Sequence, residues 1–344
     1  MNIIGTLFRP LFATVLVGVS YGEDSCTVYM AKKRGGAVVE ENKREFKIVK
    51  GQLSAETIKY IQKIKRRYAY TYLSVLSKTT TQILVPGAKK ANIANFGVDE
   101  REYKSVKLPN AFVLMRKDDI AKYQDDFKKA RGLDFLFSPY VLLFFKCKTF
   151  LGDKPKMFVL QEKESLATII KTRKETLYGS FLLIDSDEPG QTAADSITKS
   201  VMNQDGASDS KSADDLDNLD TELGDLEQEL QDFDSFDFSG IEASESSVTA
   251  DDDSESAQEE PSDNINDLGL STSIVNLLQS SLKDFYQNAL YDSDFVEEVV
   301  IFDCCGISSQ AMNNIRSNLM MDVSIVGTDL LQEIVNLSQI ELDS

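Results

Sequence analysis

Residues 185–267 constrain this chain more than any other feature of its sequence. They hold 27 of its 56 Asp and Glu but only two bases, Lys199 and Lys211, a local net charge of −25. A like-charged stretch this poor in apolar residues cannot bury enough surface to offset its chain entropy, so it is expected to be disordered. The remaining chain carries 35 bases and 29 acids, so one segment accounts for the overall charge of −19. With 344 residues and 42% hydrophobic content, that remainder is large enough for two ordinary domains with packed cores. One part of the acidic stretch has a pattern: Leu216, Leu219, Leu223, Leu226, Leu230 and Phe233 recur at spacings of 3 and 4. That stripe reads either as a transient helix in a solubilising linker or as a motif that folds onto a basic, apolar groove.

The chain has no His, which removes Ser-His and Cys-His nucleophile pairs and His-ligated zinc. Cys26, Cys147, Cys304 and Cys305 have no CxxC spacing, so neither a zinc site nor a thioredoxin-like pair is written, and so few Cys fit a reducing compartment. The apolar run Leu11–Val19 follows Arg9-Pro10. It is too short to span a bilayer, which needs roughly 20 residues, and Val19-Ser20-Tyr21-Gly22-Glu23 offers no A-x-A cleavage pattern. It is read as a buried first strand, with a signal-bearing periplasmic protein as the competing view.

Strand-like runs at Val15–Val19, Ser25–Met30 and Glu45–Ile48, broken by glycine turns, predict an antiparallel meander. A helix follows over 54–67, with Ser54 as N-cap, an Ile58/Ile61/Ile64 face and a basic remainder of Lys59, Lys63, Lys65, Arg66 and Arg67. Tyr70 to Leu76 alternates as a strand. Residues 80–110 are irregular, then come a strand at 111–115 and a helix over 118–130 that stops at Gly132. Strands are expected around Phe135 and over Tyr140–Phe145, and a second meander at Met157–Leu160, Leu166–Lys171 and Ser180–Ile184. After the acidic stretch come a helix over 271–289, a strand at 299–302, a helix at 308–319, a strand at 323–326 and a short helix at 329–337.

The order βββ-α-β, an insertion, a second meander, then helix–strand–helix–strand resembles the duplicated architecture of the actin-like ATPase superfamily. Within it the chain looks like the PilM branch of type IV pilus and type II secretion assembly platforms. Val17-Gly18-Val19-Ser20-Tyr21-Gly22 resembles the family's strand and G-hydrophobic-Asp-x-Gly turn. Val113–Asp118 with Lys128–Leu133 resembles its strand, helix and Ala-Gly-Leu-like stop, and Asp284-Phe285-Tyr286 with Glu298–Phe302 resembles the approach to its terminal glycine loop. The resemblance implies a duplicated actin-like (ribonuclease H-like) α/β fold with an inserted α/β subdomain and a long disordered acidic insertion. The divisions are 1–79 for the first actin-like subdomain, 80–135 for the inserted one and 136–184 for the return and second meander. The acidic insertion takes 185–267, and 268–344 completes the second actin-like subdomain.

Such ATPases hold metal and phosphates between two hairpin turns, through Asp carboxylates and N–H groups freed by glycine. Measured against that pattern, Gly18, Ser20, Gly22, Gln161 and Gly306 are remnants of a degenerate site. Ser20 stands where the first Asp is expected, and Glu23-Asp24 occupy the phosphate-facing stretch. Gln161-Glu162-Lys163-Glu164-Ser165 replaces Asp-x-Gly, and Asp303-Cys304-Cys305-Gly306 retains one glycine of a pair. Carboxylates aimed at a triphosphate repel it by about 4 kcal/mol per pair of unit charges 4 Å apart at an effective dielectric near 20.

The resemblance therefore implies a pseudo-ATPase with no cofactor and no metal: a cytoplasmic, ring-forming or homo-oligomeric scaffold peripheral at the inner membrane. It would grip the tail of a PilN-like single-span protein in a groove between the first and inserted subdomains. The machine would be a pilus or secretion platform, or a PilM/PilN/PilO-like cage around a flagellar motor. Partner contacts are assigned to Lys59, Lys63, Lys65, Arg66 and Arg67 and to Leu223, Leu226, Leu230 and Phe233. Nucleic acid is disfavoured because no aromatic residues interleave with the bases. The alternative is an ATP-binding actin-like regulator.

Overall fold

Two sheets with one strand order organise the chain: β3-β2-β1-β4-β8 and β11-β10-β9-β12-β13. The computed structural model describes residues 13–22, 25–48, 51–87, 89, 91–184 and 261–344, with backbone only at 91, 92 and 261–268. Glu23, Asp24 and the segment 185–260, including Leu223, Leu226, Leu230 and Phe233, lie outside the described residues.

The first half runs β1 (Thr14–Tyr21), β2 (Ser25–Arg34), β3 (Ala37–Lys47), α1 (Ala55–Arg67) and β4 (Thr71–Leu76). Its insertion contributes β5 (Ile83–Pro86), α2 (Ala91–Asn95), β6 (Tyr103–Leu108) and β7 (Ala111–Arg116). Then come α3 (Lys117–Asp126), β8 (Phe135–Phe137) and α4 (Pro139–Lys146). The second half repeats the pattern as β9 (Lys156–Gln161), β10 (Ser165–Lys171), β11 (Thr176–Leu183), α5 (Pro261–Gln287), β12 (Glu298–Asp303), α6 (Ser309–Leu319), β13 (Asp322–Gly327) and α7 (Leu330–Asp343). In each half an antiparallel three-strand meander is extended by two parallel strands. The first hairpin has the same register in both halves: Tyr21 pairs with Cys26 as Gln161 pairs with Leu166. This is the duplicated actin-like α/β architecture.

The alternation along β1 and β9 divides their side chains between two layers. Val15, Val17 and Val19 join Ile61 and Ile64 of α1 and Tyr123 and Phe127 beside α3. Met157 and Val159 join Ile274 and Leu278 of α5 and Ile315 of α6. The opposite faces meet α4 and α7, where Tyr140, Leu143 and Phe144 pack with Phe158, Ile169, Leu331 and Ile334. Gly18 permits this approach in the first half, since a Cβ there would lie 3.2 Å from the Leu331 carbonyl oxygen. Lys146 of α4 and Glu333 of α7 form an ion pair of 2.6 Å.

Several sequence expectations change. Tyr140–Phe145 is helical: Ser138 caps it by accepting from the Tyr140 N–H, Pro139 occupies the first turn, and an unbroken apolar run carries no periodicity to separate helix from strand. β3 begins at Ala37, well before Glu45, because it is an edge strand whose charged residues are held by pairing to β2. α5 begins ten residues before Ser271, and α7 runs on to Asp343. The helix expected to reach 130 ends at Asp126, followed by turns to Gly132, whose positive φ of 84° fits the expected stop.

The 80–135 division assigns α3 to the insertion, yet Tyr123, Phe127 and Ala130 belong to the core of the first sheet. What remains is an antiparallel sheet β5-β7-β6 with its own small core of Val85, Ile93, Phe112 and Leu114. It rests on β11, where a Cβ on Gly179 would come within 2.7 Å of the Leu84 Cβ, and Phe96 meets Tyr291. No helix among the described residues is long and apolar enough to cross a membrane.

Candidate functional site

The C-terminal ends of the central parallel strands converge on the two hairpin turns, and their loops form the candidate site. Both turns close alike: the Gly22 N–H donates to the Ser25 carbonyl at 3.0 Å, and the Glu162 N–H to the Ser165 carbonyl at 2.9 Å. They also face each other, because a Cβ on Gly22 would lie 2.5 Å from Glu164 Oε1.

Between them stands Lys78, two residues past β4. Its Nζ lies 3.4 Å from Glu162 Oε2 and 3.9 Å from Glu164 Oε2. The Lys78 backbone is fixed by donation from its N–H to the Tyr123 hydroxyl at 2.8 Å. Glu162 is buried, and desolvation raises its carboxyl above the ordinary range against the opposing pull of Lys78. Ser165 Oγ also donates to it, at 3.4 Å.

The loop after β12 is closed by its own carboxylate. Asp303 Oδ1 accepts from the N–H groups of Cys305 (2.9 Å) and Gly306 (3.0 Å), and Oδ2 from Ile307 (2.7 Å). Gly306 has φ +82°, which turns its N–H inward. The Cys304 N–H donates to the Gln161 carbonyl at 3.0 Å, tying this loop to the second hairpin. Burial, then Asp303 and Glu162, push the Cys305 thiol up to about 11, and burial raises Cys304 further, so both are poor thiolates. Gln161 is fully buried beside Asp303 in register, and neither its Oε1 nor its Nε2 has a hydrogen-bond partner among the described residues.

Of the remnants read from the sequence, Gly22, Gln161 and Gly306 lie at these loops, and Ser20 lies near the end of β1. Gly18 is a mid-strand packing glycine under α7. The sequence reading missed Lys78, and its one signal was a base immediately after the apolar strand β4.

On α1, Lys59, Lys63, Arg66 and Arg67 are exposed. Lys65 is not part of that face. Its side chain is 9% exposed and its Nζ donates to the Gly132 carbonyl (2.7 Å), the Arg131 carbonyl (3.2 Å) and Asp134 Oδ2 (3.0 Å). A helix-face pattern cannot reveal that α3 ends beside this one lysine.

Two family profiles divide the chain as the duplication does: domain of unknown function DUF8569 matches residues 12–144, and domain of unknown function DUF8341 matches residues 157–343. Curated protein sequences give no match. Solved structures that match include a PilM-PilN type IV pilus biogenesis complex, at TM-score 0.44 and 14% identity over 91% of this chain and 88% of that one. The ethanolamine utilization protein EutJ from Carboxydothermus hydrogenoformans matches at TM-score 0.41 and 10% identity, over 96% and 90% of the two chains. A Bacteroides thetaiotaomicron protein with actin-like ATPase fold and unknown function matches at 0.40 and 10%, over 94% and 96%.

Proposed function

The chain belongs to the family described as domain of unknown function DUF8341, and on that premise we propose that it is a non-enzymatic scaffold, a pseudo-ATPase retained for its surfaces. The observation that carries this reading is the Lys78–Glu162–Glu164 cluster between the two hairpins. A phosphate chain placed there would meet two carboxylates, and binding would require the ion cluster to be broken. Asp303 adds to this by taking three N–H groups that could otherwise receive an anion.

The scaffold would be PilM-like, as the sequence resemblance implies. It would be cytoplasmic and peripheral at the inner membrane, forming a ring or homo-oligomer and holding the tail of a PilN-like single-span protein. A pilus or secretion platform, or a cage around a flagellar motor, would be its setting. Lys59, Lys63, Arg66 and Arg67 remain candidates for steering an acidic partner, while Lys65 serves the fold.

Thermal unfolding with millimolar Mg-ATP tests the pseudo-ATPase reading. A flat melting temperature is expected, whereas a ligand at 100 times its dissociation constant would add about 2.7 kcal/mol. Titration with the cytoplasmic tail peptide of a single-span protein encoded nearby tests the scaffold, and no binding would remove it. The second reading, an ATP-binding regulator, is favoured by the unpartnered amide of Gln161, which a ligand could satisfy. A nucleotide-dependent rise in melting temperature that Gln161→Leu abolishes would establish it.

A further inference from the structure

The β2–β3 hairpin and the last turn of α1 form a surface remote in purpose from the cleft. We infer that this surface docks on an anionic phospholipid bilayer, with Val38 and Val39 entering the headgroup layer and Arg34, Lys63, Arg66 and Arg67 meeting lipid phosphates. Residues 28–67 hold 12 Lys and Arg against four Glu, inside a chain whose net charge is −19. Part of that charge is used internally: Lys32 pairs with Glu40, Lys43 with Asp329 and Lys65 with Asp134. Arg34, Lys63, Arg66 and Arg67 are exposed and form no ion pair within 4 Å among the described residues, although Arg67 also feels the Glu40 charge. Of the acids nearby, Glu40 is held by Lys32, and Glu41 accepts from the Tyr29 hydroxyl.

Tyr68 joins the two elements into one patch. Lys32 Nζ lies 5.1 Å from its ring centroid and the Arg67 guanidinium 5.4 Å, while its hydroxyl donates to Glu40 at 3.5 Å. The hairpin turns at Gly35-Gly36, both with positive φ, and just beyond stand Val38 and Val39, 49% and 55% exposed. Adjacent strand residues point to opposite faces, so a tip that enters end-on wets both valines with lipid. An acidic protein would need the bases alone. Apolar side chains at a projecting tip flanked by bases match the charged headgroup and acyl boundary of a membrane. Nucleic acid is disfavoured because the neighbouring rings of Tyr60 and Tyr68 are already covered by Arg44 and by Lys32 and Arg67.

The inference goes beyond the scaffold reading and does not rest on it, since lipid vesicles contain no protein partner. The test is flotation of the full chain with vesicles of phosphatidylcholine alone or with about 30% phosphatidylglycerol, at low and high salt. Binding to the anionic vesicles only, weakened by salt, is expected. Arg34→Glu/Arg66→Glu/Arg67→Glu should reduce it by at least about 100-fold, at roughly fivefold per base lost. Val38→Ser/Val39→Ser should reduce it about tenfold with little salt dependence. All five positions are exposed, and unchanged melting temperatures would certify both variants as folded. Equal binding to both vesicle types, or undiminished binding by either variant, overturns the inference. So does binding of a poly-glutamate peptide by a chain that floats with neither vesicle type, which would make this an acidic-protein surface only.

Discussion

The two meanders have one topology and opposite surroundings. In the second half every residue of β10 is buried, with α4 on one face and α5 on the other, and only Leu183 of the outer strand β11 is exposed. In the first half the outer strand β3 is exposed from Ala37 to Glu45, its ladder pairing is to β2, and side-chain contacts such as Tyr60 to Asn42 and Lys43 to Asp329 pin it. The difference lies in the sequences of the equivalent outer strands, since Thr-Leu-Tyr-Gly-Ser-Phe-Leu-Leu of β11 is uncharged and mostly apolar while Ala-Val-Val-Glu-Glu-Asn-Lys-Arg-Glu of β3 is mostly charged. A repeated backbone plan thus leaves each half free to bury its meander or to present it. Charge along an edge strand also blocks unwanted pairing.

The largest expected effect tests the buried half. Ile169→Ala should cost about 2–5 kcal/mol in chemical denaturation, because it empties a site between α4 and the second sheet. Val39→Ala on the outer hairpin should stay within about 0.5 kcal/mol, and an equal loss would mean that the hairpin is covered in solution.

Lys65→Ala should cost about 1–3 kcal/mol by leaving the Gly132 carbonyl without its donor, while Lys63→Ala two residues away should be nearly neutral. Equivalent costs at the two positions would break the distinction between a structural and a presented base. A smaller contrast concerns helix starts. Ser308 caps α6 by accepting from the Ala311 N–H, whereas α3, its counterpart, starts at Arg116 with no side-chain cap. Ser308→Ala should lower stability by about 1 kcal/mol, and Arg116→Ser should raise it by a few tenths.

Two carboxylates of the second half should respond to pH in opposite senses. The Glu298 carboxyl is held below 4.5, first by its hydrogen bond from Lys156 and further by Ser324. Its contribution is full above the unfolded value and is lost as pH falls through the folded one. Burial holds Glu162 above 4.5, so its contribution is full in acid and is lost as pH rises through the raised value. Melting temperatures across pH should therefore change slope in opposite directions in Glu298→Gln and Glu162→Gln. A shared direction would show that Glu162 is not buried as described.

Several elements were legible because local rules decide them. Ser54 followed by an Ile58/Ile61/Ile64 face specifies α1, glycine turns between β-branched runs specify the first meander, and Gly132 marks a stop. Tyr140–Phe145 was not legible, since a short run buried on all sides has no polar face to display a period. The candidate site was legible as far as its loop residues: Gly22, Gln161 and Gly306 could be placed by motif, and the expected Asp ligands were seen to be absent. Tertiary structure alone decided that Lys78 meets Glu162 and Glu164, 84 and 86 residues away in the chain, and that Asp303 turns back on its own loop. It also decided that one lysine of the basic helix is structural while its neighbours face outward. A sequence records which side chains lie on one face of an element, but which elements that face will meet depends on how distant strands bring their ends together.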